Sequence, residues 1–264
     1  MKEQDATNQG SWAGQGPLRH LASLQGFTDE GERAAYWRIA DEVRNQPILD
    51  LGVGPGRTIS LLRSLSKSYV AIDYLPGMVE VARKKYPFVD VNVGDARDLS
   101  RFADGSFALV VFSYSGIDAV DHEDRRRVLR EAYRVLRPNG IFWFSTLNLE
   151  GRAPRERPWS PIWPARRGGR LPYAADILQL VRGIPRGLIN YVRLRNLRQH
   201  GDGWAVAPFS SHSYSLLVHY TSLPHQRAEL ELAGFKPDPE VLDPDGNRVH
   251  GASEVDFFNI IARK

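Results

Sequence analysis

The 264-residue chain contains no cysteine, so it forms no disulfide, offers no cysteine nucleophile and builds no cysteine zinc site. That composition suits a reducing compartment, and a cytoplasmic location is expected. No apolar run approaches the ~20 residues that cross a bilayer. The first thirty residues place Lys2, Glu3 and Asp5 before a stretch of Gly, Gln and Ser, without the apolar centre of a secretory signal. A soluble protein with no transmembrane segment is expected. No internal repeat is visible, and the length suffices for one large α/β domain with an elaboration.

Charge is unevenly spread. Residues 151–200 hold eleven arginines and no lysine against Glu156 and Asp176. That is a net of +9 in a chain whose total is +4, so the remainder is at −5. The same region carries Trp159, Trp163, Tyr173 and Tyr191, with Trp204 just beyond, and Pro154, Pro158, Pro161, Pro164 and Pro172 oppose regular structure up to about Ala174. Ile177, Leu178, Val181, Ile184 and Leu188 then recur at helical spacing, with breaks expected at Gly183 and Pro185. The segment 148–220 reads as a basic lid. Three roles stay open for it: a solvated face, an acceptor pocket, or a surface for RNA or lipid headgroups.

The most specific feature is Ile48-Leu49-Asp50-Leu51-Gly52-Val53-Gly54-Pro55-Gly56-Arg57-Thr58. An apolar strand ends at Asp50 in a turn with glycine at every second position, where a backbone approaches a ligand that any Cβ would obstruct. Downstream, Tyr69-Val70-Ala71-Ile72-Asp73 ends a second strand in a carboxylate able to accept both hydroxyls of a ribose. A dinucleotide fingerprint needs glycine at position 57, and Arg57 stands there instead. The helix 29–44 precedes the loop, with Ala34, Ala35, Ile39, Ala40 and Val43 on its apolar stripe, and helical patterns recur over 59–65, 76–86 and 122–136. Strand and helix alternate, which implies parallel strands joined by helical crossovers, with ligands at the carboxyl ends of the strands. Pro224 to Gly234 reads as a last helix and Val255 to Ala262 as a last strand.

The pattern Gly52-x-Gly54-x-Gly56 resembles motif I of the class I S-adenosylmethionine-dependent methyltransferases, and the order of later segments resembles that family too. Asp73 matches its acidic residue after strand two, and Gly94-Asp95-Ala96 its acidic motif after strand three. Phe107-Ala108-Leu109-Val110-Val111-Phe112 matches strand four, and Leu129 to Gly140 the helix and turn before strand five. The likeness covers about 30–147 and, more weakly, 221–264.

What the resemblance implies is an α/β fold: a Rossmann-like three-layer sandwich with a mostly parallel seven-stranded sheet and an antiparallel last strand beside strand five; the basic lid, the least family-like region, would be inserted after strand five. Residues 1–147 then form N-terminal helices and the cofactor-binding half, 148–220 the lid, and 221–264 the closing helix and strands. It also implies S-adenosylmethionine as cofactor and S-adenosylhomocysteine as product. Asp50, Gly52, Gly54 and Gly56 would surround the methionine end, Asp73 would hold the ribose, and Tyr74 and Met78 would flank the adenine. Asp95 and Ala96 would read the adenine edge, while Ser113 and Tyr114 lie near the sulfur. Asp95 alone equally suits a helix cap.

The strand-four loop, Ser113-Tyr114-Ser115-Gly116, lacks the motif common to enzymes acting on nucleobase amines, and cysteine-dependent pyrimidine methylation is excluded. Direct transfer to an oxygen or nitrogen of a small anionic or aromatic acceptor remains, with no metal expected. His122, His212 and Asp118 are candidate bases, though each residue also suits a structural role. An RNA-directed methyltransferase, a non-catalytic RNA- or membrane-binding module and an NAD-dependent oxidoreductase are the competing expectations. The acceptor and the oligomeric state are not legible.

Overall fold

In the computed structural model, period-2 strands become one mixed sheet with a separate apolar core on each face. The structure describes residues 3–12, 21, 23–159 and 170–264, and the side chains of all of these except 170–180 and 182. Strands β1 (Ile48–Leu51), β2 (Tyr69–Asp73), β3 (Asp90–Val93), β4 (Phe107–Phe112) and β5 (Leu136–Leu147) run parallel. With β9 (Glu240–Leu242) and β10 (Phe257–Arg263) they form a seven-stranded sheet in the order β3-β2-β1-β4-β5-β10-β9. Strand β10 pairs antiparallel with both β5 and β9. The expected antiparallel last strand is therefore present beside strand five. The order reverses between β1 and β4, and the carboxyl ends of these two strands open the crevice typical of such sheets.

Alternation along the strands sends side chains to opposite cores. Leu49, Leu51, Val110 and Phe112 join helices α5 (His122–Val135) and α7 (Leu223–Leu232) on one face. Ile48, Ala71, Leu109 and Val111 join α2 (Glu30–Val43), α3 (Ile59–Leu65) and α4 (Pro76–Lys85) on the other. Two of the helix starts are capped by aspartates. The Asp29 carboxylate accepts from the Glu32 amide at 2.8 Å and Asp121 from Asp124 at 2.9 Å, contacts typically worth about 1 kcal/mol each.

Between β5 and α7 the described chain builds helix α6 (Arg170–Arg193) and a three-stranded antiparallel sheet: β6 (Gln199–Gly201), β7 (Trp204–Pro208) and β8 (Leu217–Thr221). The breaks expected at Gly183 and Pro185 are absent, since α6 runs through both. Proline's own φ is helical, so one interior proline removes a single hydrogen bond without forbidding continuation. Trp163, Pro161, Pro164, Arg166 and Arg167 lie outside the described residues, as do the side chains of Arg170, Tyr173, Ile177 and Leu178. An N-terminal helix, α1 (Glu3–Trp12), clips the second sheet to the main body: the Asn8 side-chain amide donates to Ala119 and Leu217 carbonyls, both at 2.7 Å, and its oxygen accepts from the Leu217 amide at 2.9 Å.

A buried polar knot lies below this junction. The fully buried Arg125 guanidinium donates to Asp118 at 3.1 Å, to Thr146 at 3.1 Å and to Gln226. Asp118 also accepts from the Leu147 amide at 2.7 Å and the Thr146 hydroxyl at 2.8 Å. Together these contacts join the 3₁₀ turn at Gly116–Ala119 to α5, β5 and α7. Replacing Arg125 with leucine would leave Asp118 buried without its cation, a change that typically costs about 3–5 kcal/mol. Urea denaturation of Arg125→Leu is expected to show a loss of that size.

Candidate functional site

The turn after β1 is left-handed at all three of its glycines, but the three do different work. A Cβ on Gly52, at φ +60°, would sit 2.5 Å from the Phe112 ring, and one on Gly56 would sit 2.8 Å from both Ile59 and Tyr86. Those two positions are packed. Gly54, at φ +54°, would carry a Cβ with no atom within 4 Å, so this glycine borders open space. That space is a cavity of about 810 Å³, in the size range of small-molecule sites.

Asp73 ends β2 next to the turn. One of its carboxylate oxygens accepts from the Gly54 amide at 2.8 Å and the other from the Leu75 amide at 2.9 Å. Burial raises its pKa above the ordinary carboxylate value, and the two amide donors act in the opposite direction. Gly52, Gly54, Asp73, Tyr74, Met78, Ser113 and Tyr114 all border the cavity. Burial also raises the Tyr74 hydroxyl's pKa, keeping it neutral.

Asp50, Gly56, Asp95 and Ala96, expected at the cofactor, border none of this cavity. Asp50 is buried below the turn, accepting from the Thr58 hydroxyl at 2.5 Å and the Tyr69 hydroxyl at 2.7 Å. Burial pushes it up to about 6. Asp95 is held by Arg97, at 2.6 Å at its closest, and the same guanidinium bridges Asp5 and Asp124. Of the three candidate bases only His212 faces the cavity, its ring 4.9 Å from Trp12 in an edge contact. Asp118 belongs to the knot beneath, where burial drives it up to about 7 against the pull of Arg125. His122 lies apart from the cavity, stacked on Trp204 at 3.9 Å.

Several site residues had no reading in the sequence beyond their packing. Arg57 served there only as a mismatch to the dinucleotide pattern. In the fold its guanidinium makes a two-pronged ion pair with Glu32, at 2.7 and 2.8 Å, and also donates to the Gly26 carbonyl and the Ser113 hydroxyl. Both partners are buried, so the pair is little screened. A signal for it existed: Glu32 lies three, four and seven residues before Ala35, Tyr36 and Ile39, on the buried stripe of α2. The strand-four loop is bent by consecutive left-handed residues, Tyr114 and Ser115 at φ +55° and +56°, strain of about 1–2 kcal/mol per residue. The Ser115 amide donates to Ser145 Oγ at 2.7 Å. The far half of the cavity is closed by Trp12, Leu147, Phe209, Val218 and Phe257, drawn from α1, β5, the turn after β7, β8 and β10.

The insertion's arginines contribute none of the described lining. Arg152, Arg155, Arg186, Arg193 and Arg195 are exposed, while Arg198 stacks at 3.8 Å on Tyr191, which meets Trp159 and Tyr214 edge-on. Among described residues the lining carries Asp29, Glu32, Asp73, Glu156 and Asp256 against Arg57 alone of the arginines and lysines.

Residues 48–140 match the family model described as a methyltransferase domain. A probable S-adenosylmethionine-dependent methyltransferase of Mycolicibacterium smegmatis is 28% identical over 153 residues, covering 55% of this chain and 58% of the relative. The human arsenite methyltransferase is 31% identical over 220 residues, covering 73% and 56% respectively. This chain thus spans somewhat over half the length of each. The solved Burkholderia thailandensis 1,6-didemethyltoxoflavin-N1-methyltransferase, with its substrate and S-adenosylhomocysteine bound, superposes with a TM-score of 0.59. It is 13% identical and covers 98% of this chain and 88% of its own.

The raised Asp50 carboxyl has a measurable consequence. Native Asp50 holds its proton to about pH 6 against an ordinary value of 3.8. Between those values the native state binds more protons than the unfolded chain, so its contribution to stability falls as pH rises. Urea midpoints measured across this range are expected to lose part of that descent in Asp50→Asn, while the part above pH 6 that belongs to Asp118 persists.

Proposed function

Because the chain belongs to the class I S-adenosylmethionine-dependent methyltransferases, we propose that it moves the cofactor's methyl group to an oxygen or nitrogen of a small, largely apolar acceptor. One observation supports this most: a single cavity runs from Gly54 and Asp73 at the strand ends to the apolar wall of Leu147, Phe209, Val218 and Phe257. Its near end suits a nucleoside and its far end a second, flat or aliphatic molecule.

In this reading Asp73 takes the ribose hydroxyls. Each of its oxygens already accepts one backbone amide and keeps a further lone pair. Tyr74 and Met78 lie against the adenine, Gly54 lets the methionine end pass, and Ser113 and Tyr114 stand near the sulfonium. Asp50 and Gly56 act from behind by holding the turn. The acceptor's lone pair attacks the methyl carbon in line as the carbon–sulfur bond breaks, leaving a neutral thioether. The protein contributes positioning and exclusion of water. The acidic lining favours a cationic sulfonium and opposes a phosphate-bearing or otherwise anionic acceptor. A neutral aromatic or amine acceptor fits better than nucleic acid. Where the acceptor is a hydroxyl, His212 removes its proton.

Titration calorimetry with S-adenosylmethionine tests the cofactor half. The native protein binds, and Asp73→Ala weakens binding at least about tenfold, since each charge-assisted hydrogen bond lost is worth about 1.5–3 kcal/mol. Native-like affinity in Asp73→Ala refutes the ribose assignment. Transfer of labelled methyl to a panel of neutral aromatic, amine and phosphorylated compounds tests the acceptor half. His212→Ala is expected to keep cofactor affinity while slowing a hydroxyl acceptor by about 10²–10⁴.

A further inference from the structure

On the side of the second sheet away from the cavity, four ionisable side chains from three elements meet. His122 opens α5, His219 lies on β8, and His225 and Glu229 lie one turn apart on α7. One ligand atom from each of His122, His225 and Glu229 lies within 4.8 Å of the others. Glu229 Oε1 is 3.7 Å from both His122 Nδ1 and His225 Nε2, and His219 Nε2 is 3.1 Å from His122 Nδ1. Ligands at about 2.0–2.1 Å from a tetrahedral ion stand about 3.3–3.5 Å apart, so small side-chain shifts bring the atoms of His122, His225 and Glu229 around one centre.

A second observation points to a ligand. Glu229 is 3% exposed, yet neither of its carboxylate oxygens has a hydrogen-bond partner, and His225 Nε2 has none either. A buried carboxylate without hydrogen bonds is costly. Its nearest cations, Arg125 Nε and Arg126 Nε, both stand at 3.6 Å, beyond hydrogen-bond reach. Arg125 faces Oε2, while Oε1 lies toward both histidines and Arg126. That division suits a carboxylate binding an ion through one oxygen while an outer partner steadies the other. The His122 ring is already oriented, stacked on Trp204 with an interplanar angle of 1°. The side chains of His122 and His225 retain 11% and 21% exposure, which leaves an entry path.

We propose that His122, His225 and Glu229 bind a divalent transition-metal ion of the zinc type that fastens α5 to α7 beside the β6–β8 sheet, where His219 contacts His122. Three protein ligands leave the fourth tetrahedral position to water, and the site stands apart from the methyl-transfer chemistry, since none of the three residues borders the cavity. Its effect on the methyl-transfer site is indirect, through Val218, the neighbour of His219 that lines the far wall.

The test uses the full chain, stripped with a chelator and then titrated with zinc chloride against a chromophoric competitor. Elemental analysis follows dialysis. One zinc per chain is expected, with a rise in thermal midpoint on zinc addition. Cobalt(II) in its place should give the visible absorption of a tetrahedral site. His225→Ala, a partly exposed position, and Glu229→Gln are each expected to lower zinc affinity at least about a hundredfold, the upper end of what outer-sphere changes alone cost. His200→Ala, at an exposed histidine elsewhere on the sheet, should bind as the native chain does. Failure of the native chain to hold stoichiometric zinc overturns the proposal, as does native-like affinity in His225→Ala.

Discussion

The buried ion pair between Arg57 and Glu32 is the contact on which the site depends. It joins α2, the glycine turn and the strand-four loop at one point, because the same guanidinium also reaches Gly26 and Ser113. Each of those segments alone is a flexible connection. A bidentate pair shielded from water has a narrow geometry, and truncating either partner would leave the other charged and unsolvated. The turn is thus held open without depending on a bound molecule for its shape. Asp73 completes the frame from the other side by accepting the Gly54 and Leu75 amides.

The acceptor end is assembled differently. Trp12, Leu147, Phe209, Val218 and Phe257 come from five places in the chain, brought together because the second sheet sits against the end of β5 and α1 closes over it through Asn8. Beneath them, Arg125 donates to Asp118, Thr146 and Gln226 away from solvent. A polar knot of this kind fixes the relative placement of elements that apolar packing alone would allow to slide.

Charge has opposite meanings at two scales. The insertion is strongly basic in sequence, whereas the described cavity wall is acidic. Exposed arginines such as Arg186 and Arg195 keep their hydration and spend little energy doing so. Asp73 at the cavity is different: it is buried with only backbone amides on its carboxylate, so its field acts on whatever enters.

The local chain determined the strands, helices, glycine turn and Asp73. Periodicity and backbone sterics are short-range properties, and 48–51, 59–65, 69–73 and 107–112 carry them without ambiguity. The order of those segments also implied the parallel sheet and, through family resemblance, the antiparallel last strand. Tertiary structure alone decided which residues face the cavity. Gly54 and Gly56 look alike in sequence, yet only Gly54 borders open space, because Ile59 and Tyr86 fill the other position. Asp118 looks available until β5 and α7 bring Thr146, the Leu147 amide and, through Arg125, Gln226 around it. The meeting of His122, His219, His225 and Glu229 is equally invisible in one dimension, since β8 must first dock beside α5 and α7. Side-chain partners separated by tens of residues are set by packing, and no spacing along the chain encodes that packing directly.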